Sequence, residues 1–121
     1  MKHYMHLNEA PFQNIWDGNK TIELRLLDSK RKTINVGDEI EFSKLPNGYK
    51  LIIVRVIALH TFPSFTELFE VLPLEKCGYD QDSIKIAHWT DMNTYYSGDE
   101  QLKYGVVGIE FKVEEKCSKK N

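Results

Sequence analysis

Apolar positions recur along this chain with two different periods. In "KHYMHL", residues 2–7, Met5 and Leu7 alternate with Lys2, Tyr4 and His6, the period of a strand. In residues 9–17, Phe12, Ile15 and Trp16 fall at i, i+3 and i+4, which is one face of a helix. Asn8 is placed to be its N-cap, Pro11 sits in the first turn, and Gly18 follows at the C-terminal cap. The period then returns to two in "GNKTIELR". There Thr21, Glu23 and Arg25 share one face, Ile22 and Leu24 the other, and Lys20 stands at the start.

Residues 28–33 form a charged loop, and "VGDEIEF" reads as a turn and a strand over about 38–43. Asn47-Gly48 signals a hairpin into a strand rich in β-branched residues, about 50–62, that Pro63 ends. "SFTELFEVL" reads as a short helix with Ser64 as N-cap and Glu67 completing a capping box. After Pro73, residues 74–83 read as a loop or a broken helix. The next segment, "SIKIAHWTDMNTYY", is expected to be helical, because Ile84, Ala87 and Met92, or Ile84, His88 and Asp91, group on faces. Ser97 ahead of Glu100 is a second capping signal, "GVVGIEFKV" a closing strand, and 114–121 a polar tail expected to fray. This order predicts an α+β fold: a small mixed β-barrel with helices at its rim, spanning 1–113, and a mouth suited to a ligand.

Composition narrows the classes. With 121 residues, 41% hydrophobic and 28% charged, the chain suits one domain whose core needs no disulfide. A net charge of -2 argues against a broad surface that coats nucleic acid, while leaving room for a local basic groove. Cys77 and Cys117 lie far apart with no CxxC spacing and read as two reduced thiols. His3, His6, His60 and His88 show no HxxxH pair, so neither a metal nor another cofactor is expected. The N-terminus has no apolar signal region and no run is long enough to span a bilayer. The expectation is a cytoplasmic protein with no membrane partner.

The charged strand carries a resemblance. Gly18, Lys20, Glu23 and Arg25 fit the GxKxxExR signature of the ASCH domain, a relative of the PUA domain. "KRKTINVGDEIEF" resembles that family's basic loop, Gly-Asp turn and second strand, and "YYSGDEQLKYGVVGIEF" is similar to the closing segment of small bacterial members. The resemblance covers about Met5 to Val113. It implies a PUA-like barrel with a cleft lined by the signature strand, and RNA or a nucleotide-like ligand as partner. It also raises a hydrolase alternative, as a ribonuclease or as an amidohydrolase on acetylated cytidine, in which Lys20 and Glu23 would be catalytic. That amidohydrolase pattern has a Thr three residues after the Lys. Glu23 stands there instead, and Thr21 lies about 6–7 Å back along the strand.

Residue chemistry adds to this. A close Lys–Glu–Arg trio neutralises itself and holds the Glu ionised, which makes Glu23 a poor general acid. Lys20 and Arg25 suit phosphate, as a point charge and a planar fork. Arg31, in the run Lys30–Lys32, would form a phosphate-contacting lip. Trp89, Tyr95 and Tyr96 could stack on bases, at roughly 1–3 kcal/mol each. The plainer alternatives are a solvated strand face, a solvated loop, and aromatics packed over the barrel end, with Glu100 only closing a cap. The candidate ligand-binding set is Lys20, Thr21, Glu23, Arg25, Arg31, Tyr96 and Ser97.

Overall fold

The computed structural model describes residues 1–118. It contains strands β1 (Lys2–Leu7), β2 (Ile22–Leu26), β3 (Glu39–Lys44), β4 (Lys50–Phe62) and β5 (Val106–Ser118). Helices α1 (Glu9–Trp16), α2 (Phe65–Val71) and α3 (Gly98–Tyr104) connect them, with short 3-10 turns at Arg31–Thr33, Leu74–Lys76, Ser83–Ile86 and Trp89–Thr94. The fold is mixed α+β.

The strands form one five-stranded sheet in the order β1-β3-β4-β5-β2. Among the described residues, only the β1–β3 pair is parallel. The expected closed barrel is not what the ladders make, for β1 and β2 are the two edges of the sheet. Side chains cross between these edges instead. Arg25 donates from Nη2 to the His6 carbonyl at 3.3 Å, and Lys30 reaches from the β2–β3 connection to the Tyr4 carbonyl at 2.8 Å.

Two apolar clusters fill the molecule. One joins Met5 and Leu7 of β1, Phe12 and Ile15 of α1, and the inward residues of β3, β4 and β5. The other joins Ile22, Leu24 and Leu26 of β2 to Phe65 and Leu68 of α2, with Leu72, Cys77 and Met92. The second packs tightly: a Cβ on Gly108 of β5 would lie 2.6 Å from Leu72 Cδ1. Alternation along β2 then sends Glu23 and Arg25 to the face opposite its apolar residues.

Several local expectations hold. Gly48, at φ +69°, turns the β3–β4 hairpin. Ser97 and Glu100 form a reciprocal capping box on α3. At α2, Ser64 accepts from the Thr66 N–H, and its hydroxyl donates to the Glu67 carboxylate. Asn8 has the extended backbone of an N-cap but makes no side-chain cap bond.

Two expectations are corrected. Residues 83–96 do not form an α-helix; they fold as two 3-10 turns separated by extended backbone at Ala87 and His88. Residues 114–118 are not frayed, because β5 continues through them, pairing Glu115 with Ile53 and Ser118 with Lys50. Residues 119–121 of the expected tail lie outside the described residues. Among the described residues, no helix is long and apolar enough to cross a membrane.

Candidate functional site

Lys20 reaches its place through a break in the strand. On an unbroken strand, residues three apart face opposite ways, so Lys20 and Glu23 would diverge. The chain instead leaves α1 through Gly18 at φ +84°. Asn19 and Lys20 both donate their N–H to the Asn14 carbonyl, at 2.8 and 3.1 Å. Lys20 then makes an isolated antiparallel bridge with Cys77, and Thr21 donates to the Lys76 carbonyl. The regular strand begins only at Ile22. Gly78, at φ +106°, lies against the lysine; a Cβ there would meet Lys20 Cδ at 3.4 Å.

This geometry brings Lys20, Glu23 and Arg25 into one cluster. Lys20 Nζ lies 2.8 Å from Glu23 Oε1, and Arg25 Nη2 lies 2.8 Å from Glu23 Oε2. Arg25 Nε donates to the same Oε2 at 2.9 Å. The side chains of Lys20, Glu23 and Arg25 are only 10%, 5% and 17% exposed. Burial alone would raise the Glu23 carboxyl, but the charges and hydrogen bonds of Lys20 and Arg25 outweigh it and hold the group below the usual range. For Arg25, burial is likewise outweighed by Glu23, and the guanidinium is held more firmly charged.

The cluster borders a cleft of about 820 Å³. His6 and the α1 residues Ala10, Pro11 and Asn14 line part of it, and residues 77–96 supply most of the rest. That second wall is held by polar bonds. Tyr79 donates its hydroxyl to Asp91 Oδ2 at 2.8 Å, and the same oxygen accepts the His88 N–H at 3.2 Å, capping the Trp89–Thr94 turn. Tyr96 stacks on Phe65 with ring centroids 6.1 Å apart, and burial raises its phenol. Tyr95 is open to solvent at the cleft. Burial pushes the Cys77 thiol up to about 12, so it borders the cleft un-ionised.

Of the sequence-derived candidates, Lys20, Glu23, Arg25 and Tyr96 line this cleft, whereas Thr21, Arg31 and Ser97 do not. The Thr21 backbone is spent on tying Lys76 and Phe111 together. Arg31 turns back to Asp28 at 3.1 Å. Ser97 is used as the cap of α3. Trp89 packs on the second apolar cluster rather than standing free as a stacking platform. Sequence reasoning missed Asn14, Gly78, Tyr79 and Asp91 as lining residues. The Asp91 signal was available as its spacing three residues after His88, which marks a cap. Among the described residues, no three His, Cys, Asp or Glu side chains gather as a set of metal ligands.

Comparison with known proteins agrees with this architecture. The chain superposes on the crystal structure of the hypothetical protein PH0355 with a TM-score of 0.76 at 32% identity, covering 94% of this chain and 100% of that one. It is similar to the solution structure of protein PF0455 from Pyrococcus furiosus, with a TM-score of 0.67 at 33% identity, covering 95% and 99%. A Zymomonas mobilis protein, the ZmASCH S128A mutant, shares the fold with a TM-score of 0.61 at 12% identity, over 93% of this chain and 66% of that one. No protein of curated function matches. The ASCH domain matches residues 5–115, nearly the whole chain, and the chain belongs to the ASCH domain family.

Proposed function

We propose that this protein binds RNA, or a nucleotide-like ligand, in the cleft beside β2, acting in the cytoplasm. The observation that carries this reading is the buried Lys20–Glu23–Arg25 cluster at the wall of a ligand-sized cleft. Burying two cations and a carboxylate is costly, and apolar residues would often serve stability as well. A cluster of this kind at a cleft wall is suited to hydrogen-bonding a ligand. Tyr95 and Tyr96 supply aromatic surface beside it. Membership of a family that is generally RNA-binding in character supports the same conclusion. In this reading the curled sheet is a PUA-like barrel left open between β1 and β2.

A hydrolytic role has less support. A carboxylate saturated by two cations is a weak base. The Thr21 hydroxyl is not at the cleft, so it does not replace the one that the amidohydrolase pattern has three residues after its Lys.

The test is a ligand-observed NMR screen with nucleosides, mononucleotides and short single-stranded RNAs, repeated on Lys20→Ala. Binding that is lost in the variant is the expected result. No binding at millimolar concentration, or binding indifferent to Lys20, overturns the reading. In the same samples, acetylated cytidine should release no acetate. Turnover that disappears with Lys20→Ala would replace the binding role with an enzymatic one.

A further inference from the structure

The charges of the cleft are balanced. Among the described residues, its lining holds two permanent cations, Lys20 and Arg25, and two carboxylates, Glu23 and Asp91. Glu23 takes a contact from each cation, leaving that trio with one surplus positive charge. With Asp91 counted, the formal charge of the lining is zero. Asp91 is exposed, and it is held at the lining by the Tyr79 hydroxyl at 2.8 Å.

The adjoining recess adds negative rather than positive charge. A second recess of about 490 Å³ shares Asn14, Gly78 and Tyr79 with the cleft and adds Glu75 and Asp80, but no Lys or Arg. None of the basic run at 30–32 lines the cleft; Arg31 acts on Tyr96 from behind the lining, and Asp28 acts there with the opposite sign. Lys30 is bonded to the Tyr4 carbonyl and Arg31 to Asp28. A phosphate entering this site would leave water for a region with no net positive charge, and phosphate recognition depends on such charge. The uncharged base and ribose lose far less by the same move, because no ionic charge leaves water, and the cleft offers donors, acceptors and tyrosine rings in exchange.

We propose that Asp91 is a specificity-determining residue, which makes the cleft select an uncharged nucleoside unit over its phosphorylated form. This rests on reading the cleft as a site for a nucleotide unit. It refines that reading: the base and ribose of a strand enter, and its phosphates stay at the mouth.

The experiment measures dissociation constants for the four common nucleosides and their 5′-monophosphates, by NMR titration at pH 8, above the ordinary histidine range. The wild type is expected to bind the preferred nucleoside at least as tightly as its monophosphate. Asp91→Asn keeps an acceptor for Tyr79 and removes the charge. It should move the ratio toward the monophosphate by roughly three- to tenfold, as one charge in a partly solvated cleft does. Tyr79→Phe breaks the Tyr79–Asp91 bond without changing charge, so it should alter both affinities alike and leave the ratio unmoved. If wild type prefers the monophosphate by tenfold, or Asp91→Asn leaves the ratio unchanged, this inference is overturned while the binding reading stands. If no nucleoside, nucleotide or short single-stranded RNA binds at all, both fall.

Discussion

Two arginines in this molecule sit in three-membered ion clusters, and they show how much burial matters. On the cleft side, Arg25 and Lys20 hold Glu23 within 2.8 Å, with all three side chains mostly buried. On the outer part of the sheet, Arg55 holds Glu39 at 3.2 Å and Glu114 at 3.0 Å, with side chains 35–41% exposed. The contact chemistry is the same. In the outer cluster, water and salt screen each charge, so the cluster decorates the surface. In the inner cluster, screening is weak and each charge depends on its partners. Both arginines also reach a backbone carbonyl, Arg25 that of His6 across the gap between the sheet edges and Arg55 that of Gly37 beside β3.

The sharpest way to break this comparison is to remove the shared inner acceptor. Glu23→Gln leaves two cations buried without a counter-charge. It should cost on the order of 3–5 kcal/mol of unfolding free energy, as broken buried pairs do. Urea denaturation measures it, and a loss below about 1 kcal/mol would place the cluster among solvated surface pairs.

Arg25→Ala comes next. Glu23 keeps Lys20 as partner, so the loss should be about 1.5–3 kcal/mol, the range for a hydrogen bond to a charged group. The same variant should weaken nucleoside binding in the NMR titration. Normal affinity in a destabilised protein would make Arg25 purely a tie between the sheet edges.

Acid titration sharpens the comparison further. The native Glu23 carboxyl lies below its ordinary value of 4.5. Its stabilisation is therefore complete above that value and is lost as pH falls through the native one. Stability should begin to decline near pH 4.5 in the wild type, and the decline should be shallower in Glu23→Gln. Some acid loss will remain in the variant. The His3 hydrogen bond, then the Asn35 N–H and the N-terminus, hold Asp38 down to about 2, and it acts with the same sign. Equal slopes in the two proteins would count against a coupled Glu23.

The smallest effect is expected from Arg55→Ala, whose denaturation midpoint and ligand affinity should both stay close to wild type. A drop rivalling that of Arg25→Ala would erase the contrast between the clusters.

The places where sequence reasoning stopped short share a cause. Residues 83–96 carry apolar positions at helical spacing, yet Ile86 is 82% exposed and Ile84 points partly to solvent. Local polar bonds decide this segment. Asp80 Oδ1 accepts the N–H groups of Asp82 and Ser83, and His88 Nδ1 accepts that of Thr90. Such side chain–backbone bonds compete with the α-helical ladder. The charged stretch after residue 113 looked like a frayed end. It is a strand because β4 is 13 residues long and its first residues need a ladder partner.

Elements whose cause is local were legible along the chain. These are the alternation of β1 and β2, the α1 face of Phe12 and Ile15, the Asn47-Gly48 hairpin, the Ser97–Glu100 cap, and the signature Gly18, Lys20, Glu23 and Arg25. In each, neighbouring residues set the geometry. Tertiary structure alone decided that the sheet stays open between β1 and β2, that the chain breaks at Thr21 so that Lys20 turns back to Glu23, and that Asp91 shares a cleft with them. It also decided that Thr21, Arg31 and Ser97 stand outside that cleft. Those outcomes depend on contacts between segments distant in the chain, such as Lys20 with Cys77, Thr21 with Phe111 and Arg25 with His6. Spacing along a sequence carries no record of such contacts, because they form only when the whole sheet curls and buries its face.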